Sequence, residues 1–184
     1  MTHVSASGWG DDSPLLKNNP YKNPFWNETA FFKTSSGNPF RVEVNWKGAL
    51  ISTERAEWRG DKMSFISELK PGEGHTIVRS DSRAGKDDAG FQYEENLVEK
   101  YDQPLWWQTE MLPEPLRHDS GHDGSHTFLT HEFLNALIRE RKPVIDIYEA
   151  LAYTAPGIIA HQSALRNGEY MNLPDFDEHD YIVH

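Results

Sequence analysis

Two helices are predicted by residues 125–168, which read SHTFLTHEFLNALIRERKPVIDIYEALAYTAPGIIAHQSALRNG. In the first helix, apolar residues recur at helical spacing after Ser125, a residue type that caps helices well. The second helix is expected to run from a cap at Asp146 to about residue 167, with a kink or a break at Pro156-Gly157. Both helices come late in the chain, and this order decides the fold class.

Strands are predicted upstream of these helices. The segment FRVEVNW at residues 40–46 alternates apolar and polar side chains, which is typical of a strand with one buried face. Short turns join it to similar segments, so the strands are expected to pair antiparallel. These segments are Thr29–Lys33, Glu54–Trp58, Met63–Ile66 and Thr76–Arg79. Residues 1–26 and 80–90 are interpreted as loops because they are rich in polar residues and glycine.

Strands followed by helices indicate an α+β fold. We expect residues 1–184 to form a single domain with an open, mainly antiparallel sheet. Helices would pack on one face of the sheet and leave the other face available for dimerisation.

Composition narrows the class of partner. Asp and Glu outnumber Lys and Arg 29 to 18, giving a net charge of −11, which disfavours nucleic acid and anionic membranes as partners. Neutral sugars remain compatible with this charge. The sequence has no cysteine and no apolar run long enough to span a membrane. The sequence leaves the compartment open: the cytoplasm is favoured over the periplasm, which would require a signal sequence before Met1.

The stretch from His118 to His131 concentrates candidate binding residues. His118, His122 and His126 are four residues apart, so on a continuous helix they would share a face and could hold zinc. Glycines interrupt any such helix, which favours a loop entering a helix. In that interpretation His122, Asp123 and His126 offer hydrogen-bonding groups to a ligand. A loop that satisfies only its own polar groups is the remaining alternative.

Aromatic and charged residues elsewhere give further candidates. Trp106 and Trp107 either anchor an irregular loop or form a stacking platform for a sugar ring. Arg55 is held as a candidate ligand contact at a strand end, although such charged residues usually form solvated pairs. Glu28, beside Trp26, is a similar candidate.

Known catalytic and nucleotide motifs are missing from the sequence. There is no nucleophile elbow, no HExxH and no glycine-rich phosphate loop. Gly72-Glu73-Gly74 is too short for a dinucleotide fingerprint and does not connect a strand to a helix. We therefore assign no catalytic, cofactor-binding or metal-binding residue.

Several short motifs in fixed order resemble the C-terminal domain of the Gfo/Idh/MocA oxidoreductase family, over residues 3–176. The closest likeness is to the branch that acts on glycosides, which includes NAD-dependent glycosidases. The motifs are Asn23–Glu28 (NPFWNE), Gly37-Asn38 with Arg41 and Trp46, Glu54-Arg55, Gly60-Asp61-Lys62, Gly121–His126 (GHDGSH), Glu132-Phe133, Pro143 with Asp146, Thr154–Gly157 (TAPG) and Pro174–Phe176 (PDF).

The resemblance implies a full-length protein with an N-terminal Rossmann domain that binds NAD(P), and a second domain whose sheet often forms a homodimer. The family's glycine-rich fingerprint, catalytic lysine and catalytic histidine would all lie upstream of Met1. Only the GHDGSH loop corresponds to something near the family's substrate pocket.

Three hypotheses follow. The first is the substrate-binding and oligomerisation domain of an NAD(P)-dependent sugar or glycoside oxidoreductase, present as a fragment or as one subunit of a split enzyme. It would bind a carbohydrate or polyol and be inactive by itself, so whether the chain is an enzyme is left open. The second is a free-standing sugar-binding or metal-binding module. The third is a zinc hydrolase built on His118, His122 and His126.

Overall fold

The computed structural model describes residues 1–49, 54–86, 89–90 and 92–176. Residue contacts divide the chain into two compact units. Unit 1 comprises residues 1–52 and 132–184, and unit 2 comprises residues 53–131. The described residues form two open four-stranded antiparallel sheets and three α-helices, so the predicted α+β fold class is confirmed.

Sheet 1 belongs to unit 1 and has the strand order β3-β2-β1-β8. Its strands are β1 (His3–Trp9), β2 (Asn27–Lys33), β3 (Pro39–Asn45) and the two-residue β8 (Met171–Asn172). The predicted strands at residues 29–33 and 40–46 are confirmed as β2 and β3. The interpretation of residues 1–26 as loop is wrong, because β1 lies in the middle of the sheet.

Strand β1 is built from small residues. Val4, Ala6 and Gly8 alternate with Ser5 and Ser7, and serine, alanine and glycine do not favour strands by themselves. The strand forms because β2 pairs with it along its whole length and β8 pairs with its first residues. Its small side chains then allow a helix to approach closely.

Sheet 2 belongs to unit 2 and has the order β4-β5-β6-β7. Its strands are β4 (Glu57–Arg59), β5 (Met63–Ile66), β6 (His75–Lys86) and β7 (Gln92–Tyr101). Strand β6 continues through Lys86, so the loop predicted from residue 80 is wrong up to that point. Pairing with β7 explains this outcome, since the ladder satisfies the backbone of a polar segment that has little strand preference of its own. Residues 87–88 of that predicted loop lie outside the described part of the chain.

The three helices are α1 (Pro14–Lys17), α2 (Ser125–Ile138) and α3 (Ile147–Leu165). The predicted cap of α3 is confirmed, since the Asp146 carboxylate accepts a hydrogen bond from the backbone N–H of Glu149 at 2.9 Å. This bond, helped by Lys142, lowers the pKa of Asp146. The helix runs through Pro156 without the break that the sequence allowed.

The start of α2 differs in detail from the prediction. Ser125 is the first residue of the helix and not its cap. The capping hydrogen bond runs from the backbone N–H of Thr127 to Ser120 Oγ, at 3.1 Å. Leu129, Phe133 and Leu137 of its apolar stripe remain more than half exposed. None of the helices in the described ranges is long and apolar enough to cross a membrane.

The core of unit 1 lies between α3 and sheet 1. Its buried apolar residues are Val4, Ala6, Ala30, Phe32, Ala160 and Ala164. Ser163 of α3 is completely buried among them. Its hydroxyl accepts a hydrogen bond from the Ala6 N–H at 2.9 Å and donates one to the carbonyl of Glu169 at 2.6 Å. Strand β8 pairs only with His3 and Val4 of β1. The Ser163 hydroxyl therefore provides the hydrogen-bond acceptor that the Ala6 N–H does not find in β8.

Replacing Ser163 with alanine is expected to destabilise the protein by about 1–3 kcal/mol, because it leaves the buried Ala6 N–H without a partner. Urea unfolding followed by circular dichroism would measure the change. Ser7→Ala, at an exposed position of β1, is the matched control and should lie within about 0.5 kcal/mol of the parent. Equal stabilities for the two variants would show that the buried hydroxyl contributes nothing.

Candidate functional site

The loop preceding α2 lies in unit 2 and carries two of the predicted binding residues, His122 and Asp123, while His126 lies in the first turn of α2. Its backbone is left-handed at three consecutive positions: φ is 53° at His122, 52° at Asp123 and 83° at Gly124. Residues other than glycine rarely adopt this conformation. Backbone hydrogen bonds from Gly124 N to Ser120 O (2.6 Å) and from Ser125 N to His122 O (3.2 Å) hold the loop closed.

Polar side chains on this loop remain exposed to solvent. His122 Nδ1 lies 2.6 Å from the Glu54 carboxylate, which can only accept, so Nδ1 donates. The rings of His122 and His126 lie 5.1 Å apart, centroid to centroid. Asp123 is exposed beside them. Two imidazoles and two carboxylates thus form a surface that can exchange hydrogen bonds with ligand hydroxyls.

Trp107 packs against the same loop. A Cβ atom added at Gly124 would lie 2.9 Å from two carbon atoms of the Trp107 side chain, so the residue at position 124 must be small. Trp107 is half-buried by this contact, which supports its interpretation as an anchor. Its neighbour Trp106 is 54% exposed.

Four of the five predicted binding residues therefore lie together around the start of α2. They are His122, Asp123, His126 and Trp107. Arg55 is an exposed residue next to Glu54, the partner of His122. Their role in binding stays a prediction. Within the described ranges, no group of three or more histidine, aspartate and glutamate side chains is arranged to hold a metal ion.

A separate groove of about 210 Å³ lies in unit 1, between α3 and the half of sheet 1 that α3 leaves uncovered. Aromatic and aliphatic side chains form most of its surface, and a few polar groups reach it. The lining residues are Asn23, Phe25, Trp26, Asn27, Glu28, Ala30, Phe32, Val42, Val44, Trp46, Gly157, Ala160 and His161.

One carboxylate and one imidazole meet in this groove. His161 Nδ1 of α3 lies 2.9 Å from Glu28 Oε2 of β2, and their side chains are 34% and 18% exposed. The rings of His161 and Phe25 pack nearly perpendicular to each other, at a centroid distance of 5.9 Å. Phe25 can lie there because Gly8 has no side chain: a Cβ at Gly8 would be 2.4 Å from the Phe25 ring.

Trp26 is fixed by a charged pair at the edge of the groove. Its indole N–H donates to Asp11 at 2.8 Å, and the Lys47 ammonium lies 5.6 Å from the centre of its ring. Asp11 also forms an ion pair with Lys47. The Lys47 ammonium and, next, the Trp26 N–H lower the pKa of the Asp11 carboxyl to about 2.

Sequence reasoning missed the pairing of Glu28 with His161. The two residues are 133 positions apart, and although Glu28 ends the NPFWNE motif, no motif links it to His161. The local signal was the position of Glu28 beside Trp26, which made Glu28 a candidate ligand contact without indicating its partner. Only the docking of α3 on sheet 1 brings the two side chains together.

Comparison with known proteins gives a family for the second half of the chain. Residues 75–183, more than half of the chain, match the family model of the glycosyl hydrolase 109 C-terminal domain. An alpha-N-acetylgalactosaminidase of Tannerella forsythia is 29% identical over 109 residues, which are 59% of this chain and 21% of that protein. The match thus spans about a fifth of that relative.

Solved structures share the fold over nearly the whole chain. The apo form of levoglucosan dehydrogenase aligns with a TM-score of 0.64 and 10% identity, over 96% of this chain and 47% of that one. Its complex with NADH and levoglucosan aligns with a TM-score of 0.59 and 12% identity, over 95% of this chain and 45% of that one. At such identities the likeness shows the fold alone. Together with the family model, this shared fold confirms the predicted resemblance to the Gfo/Idh/MocA C-terminal domain.

Gly124→Ala is expected to destabilise the chain more than Gly72→Ala. Both glycines have a positive φ, 83° and 87°, so both variants should lose about 1–2 kcal/mol from backbone conformation. A Cβ at Gly72 meets nothing within 4 Å, whereas one at Gly124 meets Trp107 and should cost about 1–3 kcal/mol more. Thermal unfolding would compare the two, and equal losses would contradict the packing of Trp107 on the loop.

Proposed function

Since the chain belongs to the glycosyl hydrolase 109 family as a C-terminal domain, we propose that it is the substrate-binding and oligomerisation domain of an NAD(P)-dependent enzyme acting on sugars or glycosides. The proposal treats residues 1–184 as one functional domain. The observation that carries it is that the matched residues include residues 121–126, where the exposed His122 and Asp123 have a left-handed backbone and the exposed His126 lies beside them in the first turn of α2.

Two comparisons support a sugar as the ligand. The relative from Tannerella forsythia is named for a galactosaminide substrate, and a protein of the same fold was solved with levoglucosan and NADH. The chemistry of the loop also fits a sugar. Carboxylates accept hydrogen bonds from hydroxyl groups, and imidazoles can both donate hydrogen bonds to hydroxyl groups and accept them. We assign this role to His122, Asp123 and His126, with Arg55 and Trp107 beside them.

The described residues do not fit a dinucleotide. Both sheets are antiparallel, and the described elements contain no parallel βαβ unit that could place a glycine-rich turn at a helix start. Gly72 and Gly74 lie in the turn between β5 and β6. We therefore propose that another domain or subunit holds NAD(P), and that this chain contributes no catalytic residue.

The exposed apolar residues of sheet 2 support self-association. Strand β7 is an edge strand, and Val98 on it is 65% exposed. Val98 pairs with Val78 in the neighbouring strand, and Ile66 of β5 is 42% exposed. An open edge with apolar side chains is a surface that proteins usually cover. A second copy of the same chain is the proposed partner.

Sugar binding by the loop is the first experimental test. Titration with N-acetyl-D-galactosamine and with levoglucosan, followed by ¹H–¹⁵N NMR, should shift the amide signals of residues 121–126. Asp123→Asn and His122→Asn should each weaken binding about five-fold, the effect of losing one hydrogen bond of about 1 kcal/mol. Asparagine tolerates the left-handed backbone, so both variants should keep the loop conformation.

His118→Asn is the matched control, because His118 is an exposed histidine just before the loop. It should bind as tightly as the parent. Addition of NAD⁺ with either sugar should produce no NADH. Loop signals that stay unchanged at saturating sugar, or reduction of NAD⁺ by the chain alone, would overturn the proposed function.

Dimerisation is tested by light scattering. The parent chain, of 21.1 kDa, should show twice that mass at high concentration. Val98→Glu should be monomeric, since a carboxylate would be buried without a partner in the interface. Glu99→Gln, on the opposite face of the same strand, should remain dimeric. A monomeric parent would refute this part of the proposal.

A further inference from the structure

The groove of unit 1 has no role in the function proposed so far. We infer that it is a second carbohydrate site, in which Glu28 and His161 bind two hydroxyls of one neutral sugar ring and the aromatic walls contact its apolar face. This inference rests on the proposed function for the class of ligand. The site consists of unit 1 residues only, whereas the loop site belongs to unit 2.

The polar end of the groove presents two hydrogen-bond acceptors. When Nδ1 of a neutral His161 ring donates a hydrogen bond to Glu28 Oε2, Nε2 of that ring is an acceptor. Glu28 retains its second oxygen, Oε1. Within the described part of the chain, neither Nε2 nor Oε1 has another hydrogen-bond partner. Both side chains are partly exposed at the groove, so two ligand hydroxyls can donate to them.

The position of the imidazole is determined by its surroundings. Phe25 contacts the ring edge-on, with an angle of 78° between the two ring planes. The backbone of His161 belongs to the part of α3 that packs on sheet 1 through Ala160 and Ala164. The pair of acceptors is thus already oriented before a ligand arrives, which reduces the entropy lost on binding.

The apolar walls suit a sugar ring. Trp26 is held by Asp11 and Lys47, and Trp46 is 78% exposed in the same groove. Sugar rings present C–H groups on one face and hydroxyls at the edge, and a groove with aromatic walls and a few convergent polar groups complements both. A volume of about 210 Å³ is below the usual range for drug-sized ligands, so one ring is the expected occupant.

Charge excludes other ligand classes. An anionic ligand would approach the Glu28 carboxylate in a chain with a net charge of −11. A cationic ligand would have to compete with His161, which already donates to that carboxylate. A neutral polyol ring needs acceptors for its hydroxyl protons, and the pair supplies them.

Gly157 provides a test in which weaker binding cannot be explained by loss of the fold. It lines the groove from α3, and a Cβ added there meets nothing within 4 Å. Alanine favours a helix over glycine, so Gly157→Ala should raise Tm by about 2–4 °C. The same methyl group should weaken sugar binding in the groove, and Gly157→Leu should abolish it. Ala152→Leu, at an exposed position of α3, should leave binding unchanged.

The probes are again N-acetyl-D-galactosamine and levoglucosan, followed by the indole N–H signals of Trp26 and Trp46 and by the ring signals of His161. One of the sugars should shift these signals. Glu28→Gln should weaken that binding about ten-fold or more, because a carboxylate accepts more strongly than an amide. Glu43→Gln, on the opposite face of sheet 1, is the matched control.

The outcomes separate this inference from the proposed function. Shifts in the groove that persist in Asp123→Asn and disappear in Gly157→Leu support a second site. Shifts confined to residues 121–126 overturn the groove site and leave the proposed function standing. Shifts confined to the groove support the inference and count against the loop. No shift in either region with both sugars overturns both.

Discussion

The docking of α3 on strand β1 is the interaction on which the arrangement of unit 1 depends. It is made by small side chains, with Ala160 and Ala164 on the helix against Val4 and Ala6 on the strand. Small residues allow a close approach, and close packing compensates for the limited apolar area that each of them buries. The buried Ser163 hydroxyl adds specificity, because it bonds one backbone N–H of the strand and one carbonyl beyond the helix.

The groove is a direct consequence of that docking. The helix contacts β1 along its length and β2 only at a few positions, so β3 remains uncovered beside it. Glu28 on β2 and His161 on α3 then meet at the border between the covered and uncovered parts of the sheet. Gly8 contributes to the same place, since its missing side chain leaves room for the Phe25 ring that contacts His161.

The loop of unit 2 shows a different kind of constraint. Its conformation is costly at His122 and Asp123, and it persists because backbone hydrogen bonds and the contact between Trp107 and Gly124 hold it. The local sequence was informative here, because glycines next to polar residues predict a loop and Gly124 suits a left-handed position. The contact with Trp107, 17 positions earlier, does not follow from any local pattern.

The sequence by itself determined those elements whose signals are local. Periodic apolar residues and a cap at Asp146 identified α3, and alternation identified β2 and β3. The order of these elements was enough for the α+β class, and short motifs in fixed order were enough for the family resemblance. Charge and composition were enough to favour a neutral ligand.

Only the tertiary structure decided the rest. Strand β1 and the second half of β6 have weak intrinsic strand preference, and they exist because neighbouring strands satisfy their backbone groups. The pairing of Glu28 with His161 likewise depends on packing between segments far apart in sequence. Local patterns record what a segment prefers when it is alone, whereas long-range contacts decide which of these preferences the folded chain keeps.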